Sequence, residues 1–320
     1  MRIAVINCHV AYLYMLSKTG HQFFVLKHKG NQCWDLQQRP LPPNVVLVED
    51  AEQIERYAHT PADFFDAVIF QDNVIQTDKG IDVVDRLIFE QRKCKKIMLF
   101  HNSFLTQFRT APPEKWAEIK KQLADKLQGC KKVFISEWKK QSWGMDGAVI
   151  LPGIDTEEFA GWRGIKRLAL TCLNNAGYRD FMNGTQKMRL AMADYKHLIL
   201  GREQGQGNFA GSFDEYKNIV REALCYITLN NPEFEDDYNL AMLEAMSTGM
   251  PAITLDHPRS IIKSGINGFK SDDLQEINRF VHELTQEKAH IMGIAARNTV
   301  EKQFNINTFI DNWNEVLDMT

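Results

Sequence analysis

Short runs of β-branched and aromatic residues recur along this chain at 3–6, 23–26, 45–48, 67–70, 97–100, 133–135 and 148–151, and helical patterns or polar loops separate most of them. Such alternation specifies a parallel sheet with helices on both faces, because parallel strands need a long crossover and a helix supplies it. A second block repeats the style at 168–172, 197–200, 224–229 and 252–255, then closes in three helical stretches at 274–284, 289–302 and 306–317. The fold class expected is therefore α/β, as two Rossmann-like doubly wound domains facing across a cleft. In open sheets of this kind ligands lie beyond the carboxyl ends of the strands. The loops to inspect are those that leave strands: 7–12, 101–108, 152–159, 173–179, 201–211 and 230–239.

The length of 320 residues suits two cores, and the balance of 44% hydrophobic to 25% charged residues excludes disordered and collagen-like chains. No apolar stretch approaches the ~20 residues that span a bilayer. The apolar run at the amino terminus is too short for a secretory signal and reads as a first strand. The six cysteines, Cys8, Cys33, Cys94, Cys130, Cys172 and Cys225, are scattered without paired spacing. That argues against a disulfide framework or a zinc ribbon and for a reducing cytoplasm.

The net charge of −3 conceals an asymmetry. Residues 1–151 hold 21 basic and 17 acidic side chains, and the remainder hold 17 and 24. The stretch 90–143 alone carries thirteen Lys or Arg against five Asp or Glu, interleaved with Trp116, Trp138 and Trp143. A basic face there suits anionic lipid heads, phosphate-bearing glycans or the phosphates of DNA. The same lysines, at helical spacing, equally fit ordinary solvated helix faces.

The stretch from Asn231 to Ile253 carries the most chemistry. An acidic loop leads into a helix expected from about Asn239 or Leu240 to Thr248, with Asn239 as N-cap, Gly249 just past the end and Pro251 blocking continuation. Glu244 is anomalous in that helix, because Leu240, Ala241, Leu243, Ala245 and Met246 make it apolar nearly all round. A buried carboxylate is costly unless hydrogen bonds reach it, and the hydroxyls of a ligand ribose would supply them. The free N–H groups at the helix start would suit a diphosphate. Asp236, on the loop leading in, is within reach of sugar hydroxyls beside those phosphates. The plainer reading is a solvated acidic turn (Glu233, Glu235, Asp236, Asp237) before a core helix.

The pattern Asp236-x7-Glu244, running on into Glu-Ala-Met-Ser-Thr-Gly-Met-Pro-Ala-Ile, resembles the E-x7-E signature of the retaining family 4 glycosyltransferases, which have the GT-B fold. Residues 150–159 resemble that family's interdomain linker, 264–269 its glycine–asparagine–glycine turn, and 295–304 its late helix. The resemblance covers the chain from about residue 133 onward. It implies transfer of a sugar from a nucleotide-diphosphate donor, a UDP- or GDP-sugar, to an acceptor hydroxyl, with retention and no obligatory metal or other cofactor. It also implies an acceptor-binding domain over 1–152, a nucleotide-sugar domain over 153–303, and a final helix over 304–320 packing back toward the first. Glu244 would hold the ribose and Asp236 the donor sugar, with the amides around Tyr238, Asn239 and Leu240 near sugar and phosphate. His101, directly after the strand at 97–100, resembles the histidine that the family places at the cleft, and His9 has a similar location.

The chain departs from the family in four places. Where the family often has a glycine-rich turn after the first strand, this chain has Cys8-His-Val-Ala-Tyr12, with no adjacent glycines. Its first acid is aspartate, one methylene shorter than glutamate. Asp237-Tyr238-Asn239 stands where the family has glycine, aromatic, glycine. Of the family's arginine and lysine after the first strand of the second domain, Arg179 falls near the lysine and Asn174 near the arginine; Arg202 is a second phosphate partner to consider. The expected role is cytoplasmic synthesis of a surface glycan, glycolipid or related conjugate, with peripheral contact at the inner membrane face through 90–143. The alternatives are a phage-type DNA glycosyltransferase acting on hydroxymethylated pyrimidines and a non-catalytic sugar-nucleotide-binding protein.

Overall fold

The computed structural model describes residues 1–6, 9–27, 33–50, 52–53, 57, 63–71, 93–201, 210–236 and 238–318. The chain divides into two compact units, Met1–Leu151 with Asn307–Thr320, and Pro152–Ile306.

The first unit is built on β1 (Arg2–Ile6), β2 (Gln22–Leu26), β3 (Val45–Val48), β4 (Ala67–Gln71), β5 (Lys95–Phe100), β6 (Lys131–Phe134) and β7 (Ala148–Val149). All pair in parallel in the order β3-β2-β1-β4-β5-β6-β7. Successive residues of β1, from Ile3 to Ile6, and of β4, from Ala67 to Gln71, are all buried. Both faces of the sheet are covered, which is why these strands read as continuous apolar runs rather than alternating ones. The described helices are α1 (Val10–Ser17), α2 (Phe104–Phe108), α3 (Trp116–Lys126) and α4 (Glu137–Trp143).

The second unit holds β8 (Lys166–Cys172), β9 (His197–Leu200), β10 (Ala223–Ile227), β11 (Ala252–Thr254) and β12 (Gly268–Lys270), parallel in the order β12-β11-β10-β8-β9. Its helices are α5 (Thr156–Phe159), α6 (Asp180–Asn183), α7 (Thr185–Ala191), α8 (Phe213–Glu222), α9 (Leu240–Thr248), α10 (Leu274–Glu283) and α11 (Gln286–Gln303). Strand β12 starts inside the segment 264–269 read from sequence as a turn. At three residues, the first a glycine, it is too short to leave a pattern.

The final helix, α12 (Ile306–Asp318), buries Phe309, Trp313 and Leu317. Trp313 Nε1 donates to the Tyr12 hydroxyl on α1 at 3.1 Å. Lys95 Nζ donates to the Leu317 carbonyl at 2.5 Å and Lys131 Nζ to that of Val316 at 3.1 Å. Cations at a helix carboxyl end satisfy carbonyls that have no partner within the helix.

These lysines change the reading of the basic stretch. Besides Lys95 and Lys131, Lys120 donates to the Ser142 carbonyl and lies over the Phe104 ring, and Lys132 donates to the Leu127 and Cys130 carbonyls. Lys139 is buried. Trp143 is a core residue with its indole N–H on the Asn102 carbonyl, and the Trp116 indole donates to Ala111. Five of the thirteen basic side chains of this stretch are thus bonded to backbone carbonyls or buried. Among the described residues no helix is long and apolar enough to cross a membrane. Cys33, Cys94, Cys130, Cys172 and Cys225 are free thiols, and Cys8 lies outside the described residues.

Candidate active site

In the second unit the strand order reverses at β8/β10, with β9 on one side and β10 to β12 on the other. That reversal opens a crevice at the carboxyl ends of the strands. The loops leaving β8 and β10 are tied together there. Asn231 N donates to the Met182 carbonyl at 2.8 Å, its side-chain amide donates to Phe181, and Phe181 and Phe234 meet edge to face at 5.2 Å. Arg259 donates to the Pro232 carbonyl from below the loop.

Helix α9 starts beside this crevice. Asn239 caps it, its Oδ1 accepting from Ala241 N at 2.9 Å and Met242 N at 3.3 Å. Gly249 ends it at φ 100°, a left-handed conformation that suits glycine. The Ser247 carbonyl in its last turn receives Arg297 Nη1 at 3.0 Å, and the same nitrogen donates to Thr156 at the start of α5. The helix is thus fixed at both ends.

Glu244 is only 2% exposed. The hydrogen bond its burial requires comes, at least in part, from the protein: the Tyr216 hydroxyl on α8 donates to Oε2 at 2.7 Å. Tyr226 on β10 lies close enough for the Glu244 charge to add to the effect of burial, which dominates in raising the phenol well above its usual pKa. Its hydroxyl donates to the Cys172 carbonyl and accepts from the Cys172 amide at the exit of β8.

Asp236 is 1% exposed and accepts from Tyr238 N at 3.2 Å. The Tyr238 ring packs edge-on against Phe304 at 5.3 Å. At this helix start the amides of Ala241 and Met242 donate to the Asn239 side chain, and that of Tyr238 donates to Asp236. A capping asparagine competes for the donors that a diphosphate would use.

The basic residues are placed differently. Arg179 is exposed at the N-cap of α6, and Asn174 is exposed on the same loop. Arg202 lies outside the described residues, as does Asp237. Gly201, just before Arg202, has φ 152°, and a β-carbon there would stand 1.8 Å from the Leu173 carbonyl oxygen. The exits of β8 and β9 therefore touch, which only glycine permits.

The first unit reverses its strand order at β1/β4. His101, directly after β5, is 8% exposed, and its Nε2 donates to Gln71 Oε1, at the end of β4, at 3.2 Å. The ring stacks on His9 at 5.2 Å and receives the edge of Tyr12 at 4.8 Å. Burial, then the nearby charges of His9 and Lys139, hold its pKa well below 6.5. The ring is neutral at pH 7.

Sequence reasoning missed Tyr216, Gln71 and Tyr12. Tyr216 reaches Glu244 in the second unit, and Gln71 and Tyr12 reach His101 in the first, from elements remote in sequence, and nothing in their local pattern distinguishes them from core or helix-face residues. His101 belongs to the first unit; Asp236, Tyr238, Asn239, Leu240, Glu244 and Arg179 belong to the second.

No protein-family model matches the chain, and no curated protein matches it significantly. Solved structures do. Anabaena Alr3699/HepE, in complex with UDP and glucose, superposes with a TM-score of 0.73 at 12% identity over 100% of both chains. A glycosyltransferase from Rickettsia africae superposes at 0.62 with 14% identity, covering 99% of this chain and 97% of its own. The lipopolysaccharide outer core galactosyltransferase WaaB, in its apo form, gives 0.51 at 14% identity over 99% of both chains. At these identities the likeness is one of architecture: the chain has the GT-B fold.

Proposed function

We propose that this protein is a nucleotide-sugar-dependent glycosyltransferase that moves a sugar to an acceptor hydroxyl with retention of configuration, in the synthesis of a surface glycan or glycoconjugate. The observation that carries the reading is the pair Asp236 and Glu244, 1% and 2% exposed, brought to the strand-order reversal of the second unit. A fold shared with an enzyme holding UDP and glucose supports the donor class, and a neighbour described as a lipopolysaccharide galactosyltransferase supports the acceptor class. The second unit takes the donor, a UDP- or GDP-sugar, and the first unit takes the acceptor.

In this reading Glu244 accepts from ribose hydroxyls and Asp236 from the donor sugar. The difficult step is departure of the nucleotide diphosphate as positive charge develops on the sugar. Fixed dipoles at the start of α9, with Arg179 or Arg202, stabilise the departing phosphates. His101, neutral and held beside Gln71, contacts sugar or acceptor without adding charge beside the developing cation. Holding the acceptor hydroxyl close supplies the rest by proximity.

Thermal stabilisation by UDP, GDP, ADP, CDP and TDP tests the donor class, because a ligand that binds only the folded state raises its apparent stability. A clear shift with one of them, and release of that nucleotide from its sugar conjugate, is the expected result. No shift with any nucleotide and no turnover of any nucleotide sugar would refute the proposal. Turnover unaffected by Glu244→Ala would refute the assignment of Glu244.

A further inference from the structure

We infer that Tyr216 is the second half of the ribose-recognising pair, a positioning residue for Glu244 whose phenol oxygen itself accepts one hydroxyl of the ribose cis-diol. The inference rests on the reading of Glu244 as the ribose contact. Its geometric basis is the Tyr216 hydroxyl 2.7 Å from Glu244 Oε2, which sets two acceptor oxygens side by side at a spacing that matches adjacent hydroxyls on one ring. A phenol that gives its proton to a carboxylate keeps lone pairs on oxygen. One ribose hydroxyl then donates to the carboxylate and its neighbour to the phenol.

The surroundings hold Tyr216 for this task. Its ring stacks on Phe213 at 6.1 Å and 16°, and Phe213 is buried edge-on against Phe159 of α5 at 5.9 Å. Ser212 caps the helix by accepting from Glu215 N at 3.1 Å. The anchoring residue is thus Phe213, one turn away, and Tyr216 is only half-buried. A tyrosine serving the core alone would be sealed and need not direct its hydroxyl to the one carboxylate on α9. Tyr226, the other phenol near Glu244, bonds to the Cys172 backbone, whereas the Tyr216 hydroxyl donates directly to the carboxylate.

The consequence is selectivity for ribonucleotides, since a site built to hydrogen-bond a hydroxyl rejects the analogue that lacks it. The test is calorimetric titration of the full chain with UDP and GDP and with their 2′-deoxy and 3′-deoxy forms. For whichever nucleotide binds, wild type should weaken by about tenfold or more toward at least one deoxy form, the size of a hydrogen bond to a charged group. Tyr216→Phe keeps the ring stack and should cut that discrimination to about threefold or less, with its unliganded Tm as a check on folding. Glu244→Gln should reduce it as well. Discrimination intact in Tyr216→Phe, or lost only in Glu244→Gln, overturns the inference and leaves the proposed function standing. Binding without discrimination in wild type overturns both the inference and the ribose role of Glu244. If neither UDP nor GDP binds, the inference falls together with its donor class.

Discussion

Each unit gathers buried polar groups at the carboxyl edge of its sheet, near the point where strand order reverses, but the two gatherings are built differently. In the second unit the groups are anionic and come from one stretch of chain: Asp236, turned toward the Tyr238 amide, and Glu244, one helix turn into a capped helix, with Tyr216 added from α8. In the first unit the central group is a neutral imidazole, held by Gln71, His9 and Tyr12 from β4, the β1 exit and α1. Carboxylates suit the hydroxyls of a fixed nucleotide. An uncharged acceptor suits a place where positive charge develops and a second substrate must enter. A contiguous motif and a scattered one thus solve different halves of the same proposed reaction.

The largest effects should separate the two. Glu244→Ala removes the ribose acceptor and the partner of Tyr216 and is expected to lower kcat/KM by roughly 100-fold, the upper range for a hydrogen bond to a charged group, mainly through loss of nucleotide affinity. His101→Ala should lower kcat by about 10- to 100-fold while nucleotide affinity, read by titration with the bare diphosphate, stays within about twofold. If His101→Ala weakens the nucleotide as much as Glu244→Ala does, the division of labour is wrong.

How much of this was legible in the sequence follows the same contrast. Helix α9, its Asn239 cap, its Gly249 end and the burial of Glu244 could all be read from the eleven residues 239–249, because capping and periodicity are local. The strands were legible for the same reason, as runs buried on both faces. Tyr216, Gln71 and Tyr12 were not, since they meet their partners only after distant elements pack. The same holds for the lysines of 90–143. Composition reports charge, but it does not show that Lys95 and Lys131 end on carbonyls of α12, 222 and 185 residues on.

A second comparison sets His101 against His197, which lies on β9 and shares a 2.9 Å hydrogen bond with Thr171 Oγ1. Burial, then the Arg189 charge, lowers His197 to about 4, and His101 is held well below 6.5. Both folded-state values lie under the unfolded one. Below pH ~6.5 the unfolded chain therefore binds protons that the folded chain does not, and stability falls as pH falls. Each group contributes a slope of about 1.4 kcal/mol per pH unit, from about 6.5 down to about 4 for His197. Denaturant midpoints between pH 7 and 4.5 should flatten in His101→Asn and in His197→Asn. A slope unchanged in His101→Asn would mean that His101 is not held neutral, and its assigned role would fail with it.

The smallest expected effect is the most diagnostic of the departure from the glycine that the resembled family carries at the start of this helix. Asn239 satisfies the amides of Ala241 and Met242, and a phosphate placed at this helix start would compete for them. Glycine is itself an acceptable N-cap, so Asn239→Gly should cost only a few tenths of a kcal/mol in stability, whereas Asn239→Ala should cost about 1 kcal/mol. Both substitutions release the same two N–H groups. If the side chain competes with the ligand, UDP or GDP should bind a few-fold more tightly to Asn239→Gly than to wild type, although the unliganded protein is slightly less stable. Opposite signs in stability and affinity would identify Asn239 as a device that tempers donor binding. Parallel losses would instead show that the asparagine helps to hold the donor, and that the diphosphate takes its hydrogen bonds from elsewhere.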